Sequence, residues 1–154
     1  MLHVPPPLIA LVAGLAQRAL TGATPAPKAG RMAVSGILSL LSMSMAGTAA
    51  EQFRRRGTTV EPFHPERASA LVTTGANSIS RNPMYVGMAG VLVAHAVWRA
   101  SWIALIPVAG FVVLIDRGQI GDEEAALAEK FGSDYAAYRA STPRWLGRRS
   151  FARA

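Results

Sequence analysis

Two polar stretches flank a closely spaced pair of apolar segments. One holds Arg81 and Asn82, and the other runs from Arg117 through Glu123 and Glu124. The two glutamates can neutralise an ammonium or lie beside a sulfonium, and the two arginines can pair with a carboxylate or phosphate. Asn82 offers an amide beside the free N–H groups of a helix start. A zwitterionic, amino-acid-like ligand would satisfy this set.

The same residues also allow a purely structural interpretation. Asn82 followed by Pro83 favours a helix start, because Asn caps helices and Pro is tolerated at the first helical position. The adjacent glutamates Glu123 and Glu124 would be favoured by the macrodipole near the start of another helix. The two arginines would then anchor the chain at a membrane surface. Physical reasoning alone leaves both interpretations open.

Four apolar stretches must position these residues. They cover residues 8–20, 32–50, 84–98 and 101–115. The second carries no charge and is close to the roughly 20 residues that cross a bilayer. Its many Gly and Ser residues predict a face for close helix packing. We expect His95, within the third stretch, to make a hydrogen bond between packed helices.

Only Arg99 and Ala100 separate the last two stretches. They therefore predict a tight helical hairpin with Arg99 at its tip, and Trp98 and Trp102 beside the turn are typical of interfacial anchors. Such a hairpin brings the polar stretch before residue 84 and the one after residue 115 to the same membrane face. Connectivity alone supports this conclusion.

The remaining segments are polar. Residues 51–83 predict a connection with little regular structure beyond an extension of the second helix. Residues 119–140 are charged and amphipathic, and Gly132 is expected to divide them into two helices. The tail after Pro143 is basic. The distribution of Arg and Lys fits four spans with both termini and the site cytoplasmic.

These features predict an all-α, polytopic membrane helix bundle of about four transmembrane helices, with a C-terminal hairpin and amphipathic cytoplasmic helices. We interpret residues 1–154 as a single domain. Residues 1–57 would form two N-terminal membrane helices, residues 58–146 a binding core, and residues 147–154 a basic tail. The stretch at 8–20 has no basic region before it, which indicates a retained helix rather than a cleaved signal peptide.

Composition excludes several classes of function. The chain is 51% hydrophobic and 16% charged, whereas soluble domains are about 25% charged. It has no cysteine, which excludes disulfides and thiolate sites, and His3, His64 and His95 are too scattered to predict a metal site. The net charge of +7 comes from arginines beside apolar segments, which indicates a membrane surface rather than nucleic acid.

The order of motifs in the C-terminal half resembles the isoprenylcysteine carboxyl methyltransferase family, which belongs with the phospholipid methyltransferases. The resemblance covers roughly residues 58–146 and rests on motifs of fixed order. They are Leu71-Val72-Thr73-Thr74-Gly75, Ser80-Arg81-Asn82-Pro83-Met84-Tyr85-Val86-Gly87, Arg117 with Glu123-Glu124 and Leu127, Phe131-Gly132, and Tyr135-Ala136-Ala137-Tyr138. Each motif is weak alone, but their order around a hairpin is specific.

The resemblance implies an enzyme that binds S-adenosylmethionine near the cytoplasmic surface and methylates a lipophilic or membrane-associated acceptor that enters from lipid. It implies catalytic roles for Arg117 and Glu124, with Glu124 a candidate base for an amine acceptor. Tyr138 and Arg139 would close the pocket. The implied cofactor-binding residues are Thr73, Gly75, Arg81, Asn82, Pro83, Tyr85, Gly87, Glu123, Glu124 and Tyr138. The implied location is the bacterial inner membrane.

Two alternatives to a methyltransferase stay open, and one of them, a non-catalytic scaffold, rests on a departure from the family. The family usually has Pro-Tyr-Arg after the glycine of the first motif, and this chain has Ala76-Asn77-Ser78. The loop therefore lacks an aromatic and a cationic side chain. A non-catalytic membrane scaffold with the same helices is one alternative. An NADPH-dependent enzyme similar to sterol reductases is the other.

Overall fold

The computed structural model describes residues 4–24, 26–57 and 69–151. Within those residues the chain is helical, with no β-strand. The helices are α1 (Pro6–Thr21), α2 (Ala29–Arg55), α3 (Ala76–Ile79), α4 (Pro83–Arg99), α5 (Leu105–Ile115) and α6 (Gly121–Ser141). The four apolar stretches are thus confirmed as helical. His3, His64 and residues 58–68 of the predicted polar connection lie outside the described residues.

Helices α2 and α4 pack closely because small residues face each other. A Cβ atom added to Gly87 would lie 2.6 Å from the backbone oxygen of Ser42 and 2.7 Å from Cβ of Ala46. Gly90 faces the Ser42 hydroxyl in the same way. The Ser35 hydroxyl donates to the Ala94 carbonyl at 2.8 Å. The prediction that small residues of the second helix form a packing face is confirmed for Ser35 and Ser42, whereas Gly36 and Gly47 have open space around them.

A buried polar contact joins α1 to the hairpin. The Gln17 amide nitrogen donates to the carbonyls of Leu92 and Ala104 at 2.9 and 2.8 Å. Its oxygen lies 2.7 Å from Nδ1 of His95. The expectation that His95 hydrogen-bonds between packed helices is therefore confirmed. The apolar core around this contact comprises Ala13, Tyr85, Leu92, Val108, Phe111, Ile115 and Ile120.

The hairpin turns at Ala100, which adopts a left-handed conformation with φ 49°. A short 3₁₀ turn, Trp102–Ala104, leads into α5, and a π-helical segment, Asp116–Ile120, joins α5 to α6 without a break. Glu123 and Glu124 lie in the first turn of α6, as expected. The π-helical segment runs into that turn without a break, so the helix start has no free N–H groups whose dipole would favour the two carboxylates.

Gly132 interrupts α6 as predicted. Its φ of 46° and ψ of −117° are non-helical, and glycine adopts this region without the clash that a Cβ atom would cause. The chain bends there, between the half of α6 that carries Glu124 and the half that carries Tyr138. The kink turns the second half of α6 towards the short helix α3.

Two helical runs are long and apolar enough to cross a membrane, namely Ala29–Arg55 and Trp102–Ser141. The apolar part of the second run ends at Ile115, and the charged residues follow it. Helices α1 and α4 have 16 and 17 residues, which is short for a span of about 20 residues. A bundle with four full spans therefore stays a prediction.

The four long segments alternate in direction. The Ser35–Ala94 contact joins the start of α2 to the end of α4, and the Gln17–Leu92 contact sets α1 parallel to α4. One end of the bundle thus holds the starts of α1 and α4 and the end of α5. We call it the Arg81 end, and the opposite end, with Arg99, the hairpin-tip end.

Candidate functional site

A buried cluster of charged side chains lies at the Arg81 end. Arg81 Nη2 is 2.6 Å from Glu124 Oε1. Arg144 approaches the same carboxylate from the C-terminal segment, with Nε 3.0 Å from Oε1 and Nη2 2.7 Å from Oε2. The side chains of Arg81 and Glu124 are only 10% and 8% exposed. Two guanidinium groups therefore share one buried carboxylate, a charge-assisted arrangement that fixes the positions of all three.

Arg144 extends this cluster to the π-helical segment. Its Nη1 atom lies 3.1 and 3.2 Å from the two carboxylate oxygens of Asp116. Trp145 Nε1 donates to Asp116 Oδ1 at 2.8 Å. The C-terminal segment is thus attached by side chains to the end of α5 and to α6.

The backbone of that segment also accepts hydrogen bonds from the start of α4. Arg81 Nη1 donates to the Thr142 carbonyl at 2.9 Å, and the Arg81 amide donates to the Pro143 carbonyl at 2.9 Å. Ser80 Oγ and Asn82 Nδ2 donate to the Arg144 carbonyl at 2.8 and 3.1 Å. The Asn82 side chain is thus used to hold the C-terminal segment, and it makes no capping bond to its own helix.

A second carboxylate lies beside the cluster. Tyr85 Oη donates to Glu123 Oε1 at 2.6 Å, and Gln119 Nε2 donates to the same oxygen at 2.9 Å. Tyr85 and Gln119 are buried. The π-helical turn changes the register of the helix between Asp116 and Glu123, and such turns are frequent at functional sites.

The two glutamates have opposite protonation tendencies. Burial raises the pKa of Glu123, and the nearby charge of Glu124 raises it further, against hydrogen bonds from Tyr85 and Gln119 that lower it. Burial also acts to raise the pKa of Glu124, but hydrogen bonds from Arg144 and Arg81 outweigh it and hold that pKa below its usual range. The pKa of Glu124 thus lies below, and that of Glu123 above, the pKa of an ordinary glutamate.

A neighbouring contact joins α6 to the short helix α3. Tyr138 Oη donates to the Asn77 carbonyl at 2.6 Å, and Asn77 Nδ2 donates to Gln52 Oε1 at 3.3 Å. The rings of Tyr135 and Tyr138 pack edge to face, 6.2 Å apart. Because Gln52 belongs to α2, this contact connects the N-terminal helices to the site.

The structure brings part of the predicted site together. The charged cluster and its backbone contacts include Arg81, Asn82 and Glu124. Tyr85 and Glu123 lie beside the cluster, and Tyr138 contacts α3. Pro83 is buried at the first position of α4.

Other predicted residues lie elsewhere. Thr73, Gly75 and Arg117 are exposed, and within the described ranges Arg117 makes no ion pair with the cluster. Gly87 is in the contact between α2 and α4 described above. Arg139 is exposed, and its carbonyl accepts a bond from Arg81 at 3.2 Å.

The sequence interpretation missed Asp116, Arg144 and Trp145. Arg144 was counted as part of a basic tail, because nothing local separates it from Arg148 and Arg149. The one available signal was Trp145, an aromatic residue directly after Arg144 in an otherwise polar segment. A tryptophan in such a place indicates a segment that folds back on the protein. The sequence interpretation also passed over Asn77, Ser80, Gln52 and Gln119.

The cluster leaves one donor for a ligand. Arg81 Nη2 is held by Glu124 and Nη1 by the Thr142 carbonyl. Arg81 Nε is buried and has no hydrogen-bond acceptor among the described residues. Buried donors in folded proteins nearly always have an acceptor, and a ligand carboxylate would supply it. The nearby Glu123 carboxylate, when ionised, suits an ammonium or sulfonium, so the residues fit an amino-acid-like cation such as S-adenosylmethionine.

Comparison with known proteins identifies the family to which the chain belongs. The profile described as phospholipid methyltransferase matches residues 30–134, which are more than half of the chain. Arg81, Glu123 and Glu124 lie within the matched range, and Arg144 lies outside it. An uncharacterized protein of Haemophilus influenzae is 35% identical over 63 residues, which are 41% of this chain and the whole of that relative. No solved structure matches the chain significantly. The helical architecture and the apolar runs long enough for a membrane are consistent with this match. The chain belongs to the phospholipid methyltransferase family, which points to methyltransferase activity.

Proposed function

We propose that this protein transfers the methyl group of S-adenosylmethionine to a membrane-associated acceptor at the Arg81 end of the bundle, on the cytoplasmic side of the membrane. The observation that carries the proposal is the buried Arg81–Glu124–Arg144 cluster, whose remaining donor is the Arg81 Nε–H. Family membership supplies the reaction class. The chemistry supplied by S-adenosylmethionine is an electrophilic methyl group on a positively charged sulfur.

In this proposal Arg81 binds the carboxylate end of S-adenosylmethionine through its Nε–H. Glu124 is a positioning residue, because it holds the Arg81 guanidinium through Nη2. Arg144 donates a hydrogen bond to the second carboxylate oxygen of Glu124 and keeps that carboxylate ionised. The acceptor atom attacks the methyl carbon as the bond from that carbon to sulfur breaks, and the electron pair of the broken bond goes to sulfur. The protein contributes orientation and exclusion of water rather than covalent catalysis.

An amine acceptor must lose a proton, and the geometry favours Glu123 over Glu124 as the base. Glu124 is ion-paired to two arginines, which makes it a weak proton acceptor. Glu123 has a raised pKa and is aligned by Tyr85 and Gln119. A carboxylate or thiolate acceptor would need no base. A methyl-transfer rate that depends on Glu123 would therefore indicate an amine acceptor, and a rate that does not would indicate a carboxylate or thiolate.

An apolar groove supports a lipophilic acceptor. It has a volume of about 450 Å³ and runs between α1 and α4, with Leu11, Gly14, Met88 and Val91 among its lining residues. Met88 follows Tyr85 by about one helical turn, so the groove leads towards the Tyr85–Glu123 pair. We assign it to the hydrocarbon chain of the acceptor, because a bilayer supplies such chains directly to the bundle surface.

The first test is binding to the purified full-length protein in detergent, measured by calorimetry. We expect S-adenosylmethionine and its demethylated product to bind, and Glu124→Gln to abolish that binding. Glu129→Gln, an exposed position of the same helix, is the matched control. No binding of either adenosyl compound would refute the proposal. Binding of NADPH instead would support a reductase.

A further inference from the structure

The hairpin-tip end of the bundle carries basic side chains that have no acidic partner among the described residues. Arg18 lies in the last turn of α1, Lys28 precedes α2, and Arg99 ends α4. All nine acidic residues of the sequence lie at Glu51 or later. Glu51 is about 30 Å along α2 from Arg31, at 1.5 Å per residue. The other acidic residues that the structure describes follow α5, at the Arg81 end.

A cavity of about 650 Å³ opens between these basic side chains. Arg99 is fixed at its edge, because its guanidinium donates to the Thr21 hydroxyl and to the Gly22 carbonyl. Arg18 is exposed and makes no ion pair within the described part of the chain. The cavity is lined by Leu15, Arg18, Gly22, Thr24, Trp98 and Arg99, together with two alanines.

A third arginine strengthens the positive field at this end. Arg31 lies one turn before Ser35, whose hydroxyl bonds to the Ala94 carbonyl near the end of α4. Arg31 is therefore near the level of Trp98. Its Nε atom is buried and has no acceptor among the residues that the structure describes. This one buried donor and the basic side chains without acidic partners among the described residues together favour an anionic ligand at this end.

We propose that this cavity binds the headgroup of a net-negative phospholipid, with the phosphodiester between Arg18 and Arg99. The Arg18 guanidinium can bind phosphate oxygens through a pair of hydrogen bonds, and Arg99, whose Nε and Nη2 atoms are held by Thr21 and Gly22, keeps Nη1 for a further hydrogen bond. Trp98 would lie at the level of the headgroups, where tryptophan is enriched. Leu15, which is 59% exposed, continues the wall of the cavity into the apolar surface of α1 and suits a lipid chain. A zwitterionic headgroup would bring its ammonium against the uncompensated arginines.

The test uses the full chain in detergent, titrated with dihexanoyl-phosphatidylglycerol, dihexanoyl-phosphatidylcholine or inorganic phosphate. Binding is followed by thermal unfolding, because a ligand of the folded state raises the unfolding temperature with concentration. We expect phosphatidylglycerol alone to give a saturable shift. Arg18→Gln should weaken its apparent affinity about tenfold, which corresponds to the loss of one charge-assisted contact.

Two controls separate this site from the methyl-transfer site. Arg148→Gln, at the opposite end of the bundle, and Glu124→Gln should both keep the wild-type affinity for phosphatidylglycerol. Arg99→Gln also loses the hydrogen bonds to Thr21 and Gly22 at the end of α1. Its affinity for phosphatidylglycerol is therefore compared with that of the wild type only at temperatures where the variant remains folded. Equal shifts with both lipids, saturation by inorganic phosphate at the same concentrations, or an unchanged affinity in Arg18→Gln would each overturn the proposal.

Discussion

Arg144 binds both carboxylate oxygens of Glu124, with its Nε and Nη2 atoms at 3.0 and 2.7 Å. The same guanidinium reaches Asp116 through Nη1. This contact joins the segment after α6 back to the middle of the helical run from which it came. It makes the C-terminal segment part of the site.

We expect Arg144→Lys to weaken binding of S-adenosylmethionine and to destabilise the protein by about 1–3 kcal/mol, the usual range for lost hydrogen bonds to charged groups. A lysine ammonium is a point charge and cannot contact Glu124 and Asp116 together in the geometry of a guanidinium. Thermal unfolding in detergent and calorimetry would measure the two effects. Arg148→Lys, at an exposed position of the same segment, should behave like the wild type. If Arg144→Lys matched that control, the cluster would not depend on guanidinium geometry.

The two glutamates should separate binding from catalysis. With an amine acceptor, Glu123→Gln is expected to lower kcat by about 10²–10⁴-fold, the range for loss of a general base, with little change in affinity for S-adenosylmethionine. Glu124→Gln is expected to lose its affinity for S-adenosylmethionine. Steady-state kinetics with calorimetry distinguishes the two, and equal losses of affinity in both variants would contradict these roles.

The pH dependence of the same reaction tests Glu123 directly. A base must be deprotonated to act, and burial raises the pKa of Glu123. The rate with an amine acceptor should therefore rise with pH through that raised pKa, above the range of an ordinary glutamate. The rising limb should be absent from the residual rate of Glu123→Gln. A limb that persists in the variant would assign the titration to another group, such as the acceptor amine.

Filling the groove between α1 and α4 should discriminate among acceptors by chain length. A Cβ atom at Gly14 would lie in ordinary contact, 3.8 Å from Leu92 Cδ2, so Gly14→Leu adds volume to the groove without forcing the helices apart. We expect KM to rise for long-chain acceptors and to change little for short-chain analogues. Gly36→Leu, on an open face of α2, is the control. An equal rise for both acceptor lengths would place the acceptor chain elsewhere.

The contact between α2 and α4 should be sensitive to a single methyl group. Gly87→Ala puts a Cβ atom 2.6 Å from a backbone oxygen of α2, so the helices must separate. We expect a loss of about 1–3 kcal/mol, as for overpacked cores. Gly110→Ala, where α5 has open space, should not destabilise. The comparison is made by thermal unfolding in detergent, and equal stability of the two variants would mean that the helices adjust freely.

Much of the helical framework follows from local sequence. The apolar stretches determine where helices form, and the two-residue link of Arg99 and Ala100 leaves the last two no arrangement except a hairpin. That link also places Arg81 and Glu124 at one end, before any contact is known. Gly132 was identifiable as a break because few other residues adopt its conformation. The apolar pattern could not show that α5 continues into α6, because the apolar stretch ends at Ile115 and charged residues follow it.

The assembly of the site was decided by tertiary structure. Arg144 and Arg81 are 61 or more residues from several of their partners in the chain, as in the contact of Arg81 with the Thr142 carbonyl. A basic tail that remains in solvent and one that folds back have the same local composition. The sequence alone does not show whether Gly87 binds a ligand or allows close helix packing. Only the close contact with α2 shows that this glycine has a packing role. The sequence by itself determined which segments become helices and which polar residues share an end of the bundle. Tertiary structure alone decided which of those residues touch, because burial and charge pairing depend on contacts between segments distant in the chain.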